Sequence, residues 1–124
     1  MPLIIKTAED LAAEARDRLR ARLRSRRDQA IAAGTTVAGL PVQTDDLSQQ
    51  RIVGVALAAT VDPTTEVRWK VADGSFVTLD APTIIAIAQA VRAHVQACFD
   101  HEAELLDLIN AGETPDIDTG WPQP

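Results

Sequence analysis

The sequence predicts an α+β fold, mostly α: a long amino-terminal helix, a short β-hairpin, a buried helix, a second β-hairpin, a long carboxy-terminal helix and an irregular tail. Three observations carry this. Aromatic residues make up only 3% of the chain, so packing has to come from Ala, Val, Ile and Leu, which favours helices. Two long stretches, one near each end, hold apolar residues on one side at helical spacing. Between them, short strand-like runs surround Ala-Gly and Asp-Gly turns. At 124 residues, 46% hydrophobic and 24% charged, the chain suits one folded unit with a single modest core. It divides into an Arg-rich helix over residues 1–33, an α+β core over 34–112 and a tail over 113–124.

The first element is "TAEDLAAEARDRLRARLRSRRDQAIAA", Thr7 to Ala33, which contains no Pro or Gly and is rich in strong helix formers. Thr7, with Asp10 three places on, makes a weak capping box, and Gly34 follows the end. Leu11, Ala15, Leu19 and Leu23 form its apolar stripe, but Arg22 and Arg26 fall on the same side. The second half therefore lacks a clean face to bury. Arginines crowd the circumference between Arg16 and Arg27, either as a solvated surface whose stems cover apolar neighbours or as a docking face for an acidic partner. The chain's own acidic part is one such partner. Up to Ala33 eight basic residues stand against five acidic ones, and beyond it four stand against thirteen.

"TTVAGLPVQT" supplies the first hairpin, with Thr35 to Val37 and Leu40 to Gln43 paired around Ala38 and Gly39. Pro41 marks its strand as an edge. The second helix opens at "TDDLSQQ", with Asp46 as the expected N-cap and Gln49 offering the reciprocal bond. Ile52 to Ala59 are apolar on nearly every side and Gly54 permits close approach of another backbone, so this helix is expected to be the most buried. Asp62 and Pro63 end it.

In "WKVADGSFVTLD", Val67, Trp69 and Val71 alternate with Arg68 and Lys70 as in a half-buried strand. A two-residue Asp73-Gly74 turn would split the apolar residues between both faces. A loop of Ala72, Asp73 and Gly74 instead opposes Val71 to Ser75, Trp69 to Val77 and Val67 to Leu79, collecting five apolar residues on one face. That register is expected, with Trp69 a core anchor and Phe76 on the outer face as a partner contact.

Asp80 or Thr83 then caps the last helix, with Pro82 in its first turn and Gly112 after its end. About thirty residues span roughly 45 Å, longer than a domain of this size is wide, so the helix is expected to kink or to project. Trp121, in the tail, is placed to fold back as a clamp.

The totals also exclude functions. A formal net charge of -6 opposes general attraction to nucleic acid or anionic membranes. The single cysteine, Cys98, forms no internal disulfide, so a reducing cytosol is the expected setting. "MPLIIK" is too short an apolar run for a signal peptide, and no run approaches the roughly 20 apolar residues that cross a bilayer. His94, Cys98 and His101 lie on one side of the last helix with Glu102 beside them, but three ligands within two turns need a rigid fourth. The expected arrangement is a small buried thiol between two boundary histidines, with no metal and no cofactor. Glu102 interrupts the apolar stripe as Arg22 and Arg26 interrupt theirs, so these charges are expected to meet. No phosphate loop, nucleophile elbow or paired-cysteine motif occurs, and no catalytic residue is assigned.

Several segments in order, "RRDQAIAAG", "GLPVQTDDLSQQRI", "WKVADGSFVTLDAPTIIAIAQAV", "HVQACFDHEAELLDLINAG" and "DTGWP", resemble an uncharacterised domain family common in tailed bacteriophages and prophages, often in tail-associated or tail fibre assembly proteins. The resemblance covers about Arg26 to Pro122. Its conspicuous positions, Asp45, Asp46, Gln49, Trp69, Asp73, Gly74, Phe76 and Phe99, read physically as caps, turn and core.

The resemblance implies a non-enzymatic tail protein in the bacterial host cytoplasm, an assembly chaperone for a tail fibre or other tail component. The alternative is a structural tail component of the virion that forms a homo-oligomer through its long helices. Neither nucleic acid nor membrane is an expected partner. Arg16, Arg20, Arg22, Arg24, Arg26, Arg27 and Phe76 are the candidate contact residues.

Overall fold

A computed structural model describes residues 5–124. The first part of "MPLIIK", on which the signal-peptide reading turns, lies outside the described residues. Three helices and two antiparallel hairpins follow in the predicted order: α1 (Ala8–Ala32), β1 (Thr35–Val37), β2 (Leu40–Val42), α2 (Asp46–Val61), β3 (Glu66–Lys70), β4 (Phe76–Asp80) and α3 (Ala81–Asn110). The fold is α+β and mostly α.

Local chemistry explains the boundaries. The Thr7 hydroxyl accepts from the Asp10 amide and the Asp10 carboxylate accepts from the Thr7 amide, a complete capping box. Between β1 and β2, Ala38 and Gly39 both take left-handed backbone angles, 50° and 81° in φ, as the tight hairpin turn requires. The β3–β4 register is the three-residue-loop one: Trp69 opposes Val77, Val67 opposes Leu79, and the Val71 amide donates to the Ser75 carbonyl. Asp80 caps α3 by accepting from the Thr83 amide, with Pro in the first turn. Helix α2 starts one residue earlier than expected. Its N-cap is Asp45, which takes the Ser48 amide and hydroxyl. Asp46 sits inside the first turn, and Gln49 donates instead to the Thr44 carbonyl.

Packing divides into two clusters strung along α3. In the first, the hairpins and α2 meet the amino-terminal half of α3 through Val42, Ile52, Leu79, Ile84, Ile87 and Val91, with Trp69 packed against them as the expected anchor. In the second, Leu23, Ala30 and Ile31 of α1 meet Cys98, Leu105 and Ile109 of α3, and Ile117 and Trp121 of the tail close over them. The carboxy-terminal half of α3, expected to kink or project, is therefore covered by α1 and the tail. Helix, core and tail, separate segments in the sequence, share these clusters. Thr44 staples them together: its buried hydroxyl donates to the Ile31 carbonyl at 2.6 Å and accepts from the Gly34 amide at 2.8 Å.

One expectation fails in an informative way. Helix α2 is not the most buried element: only Ser48, Ile52 and Ala59 are buried, whereas Val53, Leu57 and Val61 are 65, 66 and 79% exposed. A side chain built at Gly54 would meet nothing within 4 Å, so the close backbone approach expected there is not made within the chain. The reason lies in the count of elements. The hairpins and α3 cover one side of α2, and among the described residues no further helix covers the other.

Candidate functional site

The side chains that could carry chemistry gather on the carboxy-terminal half of α3, and each is already committed. The Nε2–H of buried His94 donates to the Ala30 carbonyl at 3.0 Å, joining α3 to α1. Cys98 is 0% exposed, and burial pushes its thiol above the ordinary range, against the weaker opposing pull of the Arg26 charge. His101 donates through Nε2 to the Thr119 carbonyl at 2.8 Å and stands edge-on to Trp121, their centroids 4.5 Å apart. The Trp121 indole N–H donates to the Ile117 carbonyl, so the tail is pinned by its own clamp. Gly120 lets it lie so close, because a Cβ there would sit 2.7 Å from the His101 ring. Among the described residues no group of three or more His, Cys, Asp or Glu side chains is placed to hold a metal ion.

Glu102 does meet an arginine, as expected, but the partner is Arg27 rather than Arg22 or Arg26. Nη1 of Arg27 donates to both Glu102 carboxylate oxygens at 3.0 and 2.9 Å, while Nε and Nη2 donate to Asp28. Burial opposes the charge, yet these bonds and the two carboxylates hold the guanidinium above its ordinary range. The buried line of α1 runs through Leu23, Ala30 and Ile31, which centres Arg27 on the packed face and puts Arg22 about 140° away from it.

The other candidate arginines divide accordingly. Arg20 joins Asp17 to Asn110 at the end of α3, and Arg26 lies 5.4 Å over the Trp121 ring. Arg16 is half-buried, and Arg22 and Arg24 are exposed. Phe76 is exposed on the outer face of its hairpin, with the Arg68 guanidinium 5.9 Å from its ring. The docking surface read from the arginines is thus partly an internal seal, with Arg20, Arg26 and Arg27 turned onto this chain's own α3 and tail.

The surface left open is elsewhere. Leu47, Val53, Leu57 and Val61 on α2 and Phe99 on α3 are all exposed. Between α2 and α3 runs a groove of about 580 Å³, lined by Val53, Ala56, Leu57, Ile85, Ala88 and Phe99, with glutamines and Arg92 also at its walls. No His, Cys, Asp, Glu or Lys lines it, and the Thr60 hydroxyl at its wall donates to the Ala56 carbonyl. An apolar trough rimmed by amides and one arginine suits a protein segment better than a small polar substrate.

A family model described as a domain of unknown function, DUF4376, matches residues 14–120. The chain belongs to the DUF4376 family. The matched span takes in the groove and both clusters except Trp121. No curated protein and no solved structure matches the chain. No helix among the described residues is long and apolar enough to cross a membrane.

Proposed function

We propose that this DUF4376 domain is a non-enzymatic tail protein of a phage or prophage, an assembly chaperone that holds a tail fibre or related tail component in the host cytoplasm. The observation that carries the protein-binding part is the uncovered apolar surface of α2 and its groove against α3. A chaperone needs a face that stands in for the client's eventual neighbours, and a mostly apolar trough does so without demanding one sequence. The non-enzymatic reading is supported by the commitments on α3: His94, His101 and Glu102 each hold an internal partner, and Cys98 is buried. The tail setting rests on the sequence resemblance through "TDDLSQQ", "WKVADGSF" and "HVQACF".

Co-expression with the tail fibre gene product tests this. The pair is expected to co-purify from lysates, and Val53→Asp in the groove is expected to abolish capture while leaving the circular-dichroism spectrum intact. Recovery of the chain in purified virions, in stoichiometric amount, would instead make it a structural tail component.

A further inference from the structure

We infer that the outer face of α2 is covered by a second copy of this chain, two α2 helices lying antiparallel across a twofold axis. The inference rests on the reading of α2 as an interaction surface and names what occupies it first. At about 100° per residue, Leu47, Gly54, Leu57, Ala58 and Val61 share one side of the helix, with Gln50 the only polar residue among them. No charged residue falls within the strip. Glycine in a helix interior weakens it, and Gly54 gains nothing for that weakness within the chain, since its Cα faces open space. Beside Ala58 it forms a shallow notch one turn long. Such a notch lets a facing helix approach closely, and Leu57 and Val61 are the bulky side chains that would fill its counterpart.

Charge then selects the second copy as the occupant. Arg51 and Asp62 lie along the same edge of the strip, about three turns apart. Among the described residues no ion pair within 4 Å engages Arg51, whose charge acts only at longer range on Asp45. Asp62 accepts the Thr64 amide and hydroxyl through Oδ1 alone, which leaves Oδ2 for another donor. In an antiparallel pair whose axis passes near Leu57, each Arg51 faces Asp62 of the other copy, so the interface makes two opposite-charge contacts by symmetry. The apolar strip is thereby matched to itself and so is its charged edge. Val53 lies beyond the opposite edge of the strip; Leu57 borders both the strip and the groove, and the groove walls formed by Val53, Ile85 and Ala88 stay beside the paired helices and open to a client.

Sedimentation equilibrium of the full chain between about 1 and 200 µM, a range that brackets a typical weak dimer, decides this. The mass is expected to double across the range. Leu57→Glu should abolish the dimer with the fold retained, because Leu57 is exposed in one copy. Arg51→Asp should weaken it about tenfold, and adding Asp62→Arg should restore it. A chain that stays monomeric throughout, or a dimer indifferent to Leu57→Glu, would overturn the inference. A monomer that still captures the tail fibre product through Val53 would sink the dimer and leave the proposed function standing; a dimer with no such capture would do the reverse.

Discussion

The two halves of α3 bury similar aliphatic residues and differ in how their clusters are finished. The carboxy-terminal cluster is closed on all sides. α1 lies along it, Arg27 and Glu102 seal one edge, and Trp121 under Arg26 seals the other, leaving Cys98 and Ile109 at 0% exposure. The amino-terminal cluster is finished on one side only, and α2 turns Val53, Leu57 and Val61 outward. Closure here is achieved with charged and aromatic side chains, whereas the open region is apolar and nearly uncharged. The difference teaches where to look for a partner: at the apolar surface that the fold leaves uncovered.

The comparison is broken most forcefully at Trp121. Trp121→Ala removes a buried indole from the closed cluster and should cost about 3–5 kcal/mol, read from denaturant unfolding. It should also make Cys98 accessible to a thiol reagent that the native chain resists. If stability fell but Cys98 stayed inert, the tail would be packing without sealing.

Within α2 the contrast sharpens. Ile52→Ala, on the buried side, is expected to cost about 2–4 kcal/mol, whereas Leu57→Ala, one and a half turns on, should change the stability of a single copy by no more than about 0.5 kcal/mol. Equal costs at low protein concentration would mean that the outer face is covered within one chain.

Acid should separate the halves next. Hydrogen bonds from Ser48 to Asp45, Thr64 to Asp62, Ser75 to Asp73 and Thr83 to Asp80 hold these carboxyls below their ordinary range, and all four belong to the hairpin and α2 half; a fifth, Asp10, is lowered by its Thr7 bonds at the exposed start of α1, away from the closed cluster. Because their folded values are depressed, their stabilisation is present above the unfolded value of about 3.9 and is lost as pH falls through the folded ones. Amide exchange below pH 4 is expected to rise first in β3, β4 and α2, while the centre of the closed cluster stays protected.

The smallest effect should come from the first hairpin. Ala38 sits at a φ of 50°, where Asn is better tolerated than Ala. Ala38→Asn should stabilise the chain by a few tenths to about 1 kcal/mol, seen as a modest rise in Tm.

Much of this was legible in the residues. The caps at Thr7 and Asp80, the Ala38-Gly39 turn, the stop at Asp62 and the β3–β4 register all follow from signals within a few positions, because capping bonds, left-handed turns and the two-residue period of a strand are short-range. The Trp121 clamp and the meeting of Glu102 with an arginine were legible in kind. The candidate site was legible only in part. Phe76 takes the outer face that strand alternation gives it, but Arg20, Arg26 and Arg27 turn inward and the α2 groove has no local signature, because an apolar run such as "IVGVALAA" looks equally suited to burial on every side.

What the sequence determined alone is therefore the list of elements, their ends and the polarity of each face. Which faces were to be covered was decided by tertiary structure. Burial depends on how many elements are available and where their connections allow them to lie, and in this chain three helices and two short hairpins close one end of α3 and leave α2 bare at the other.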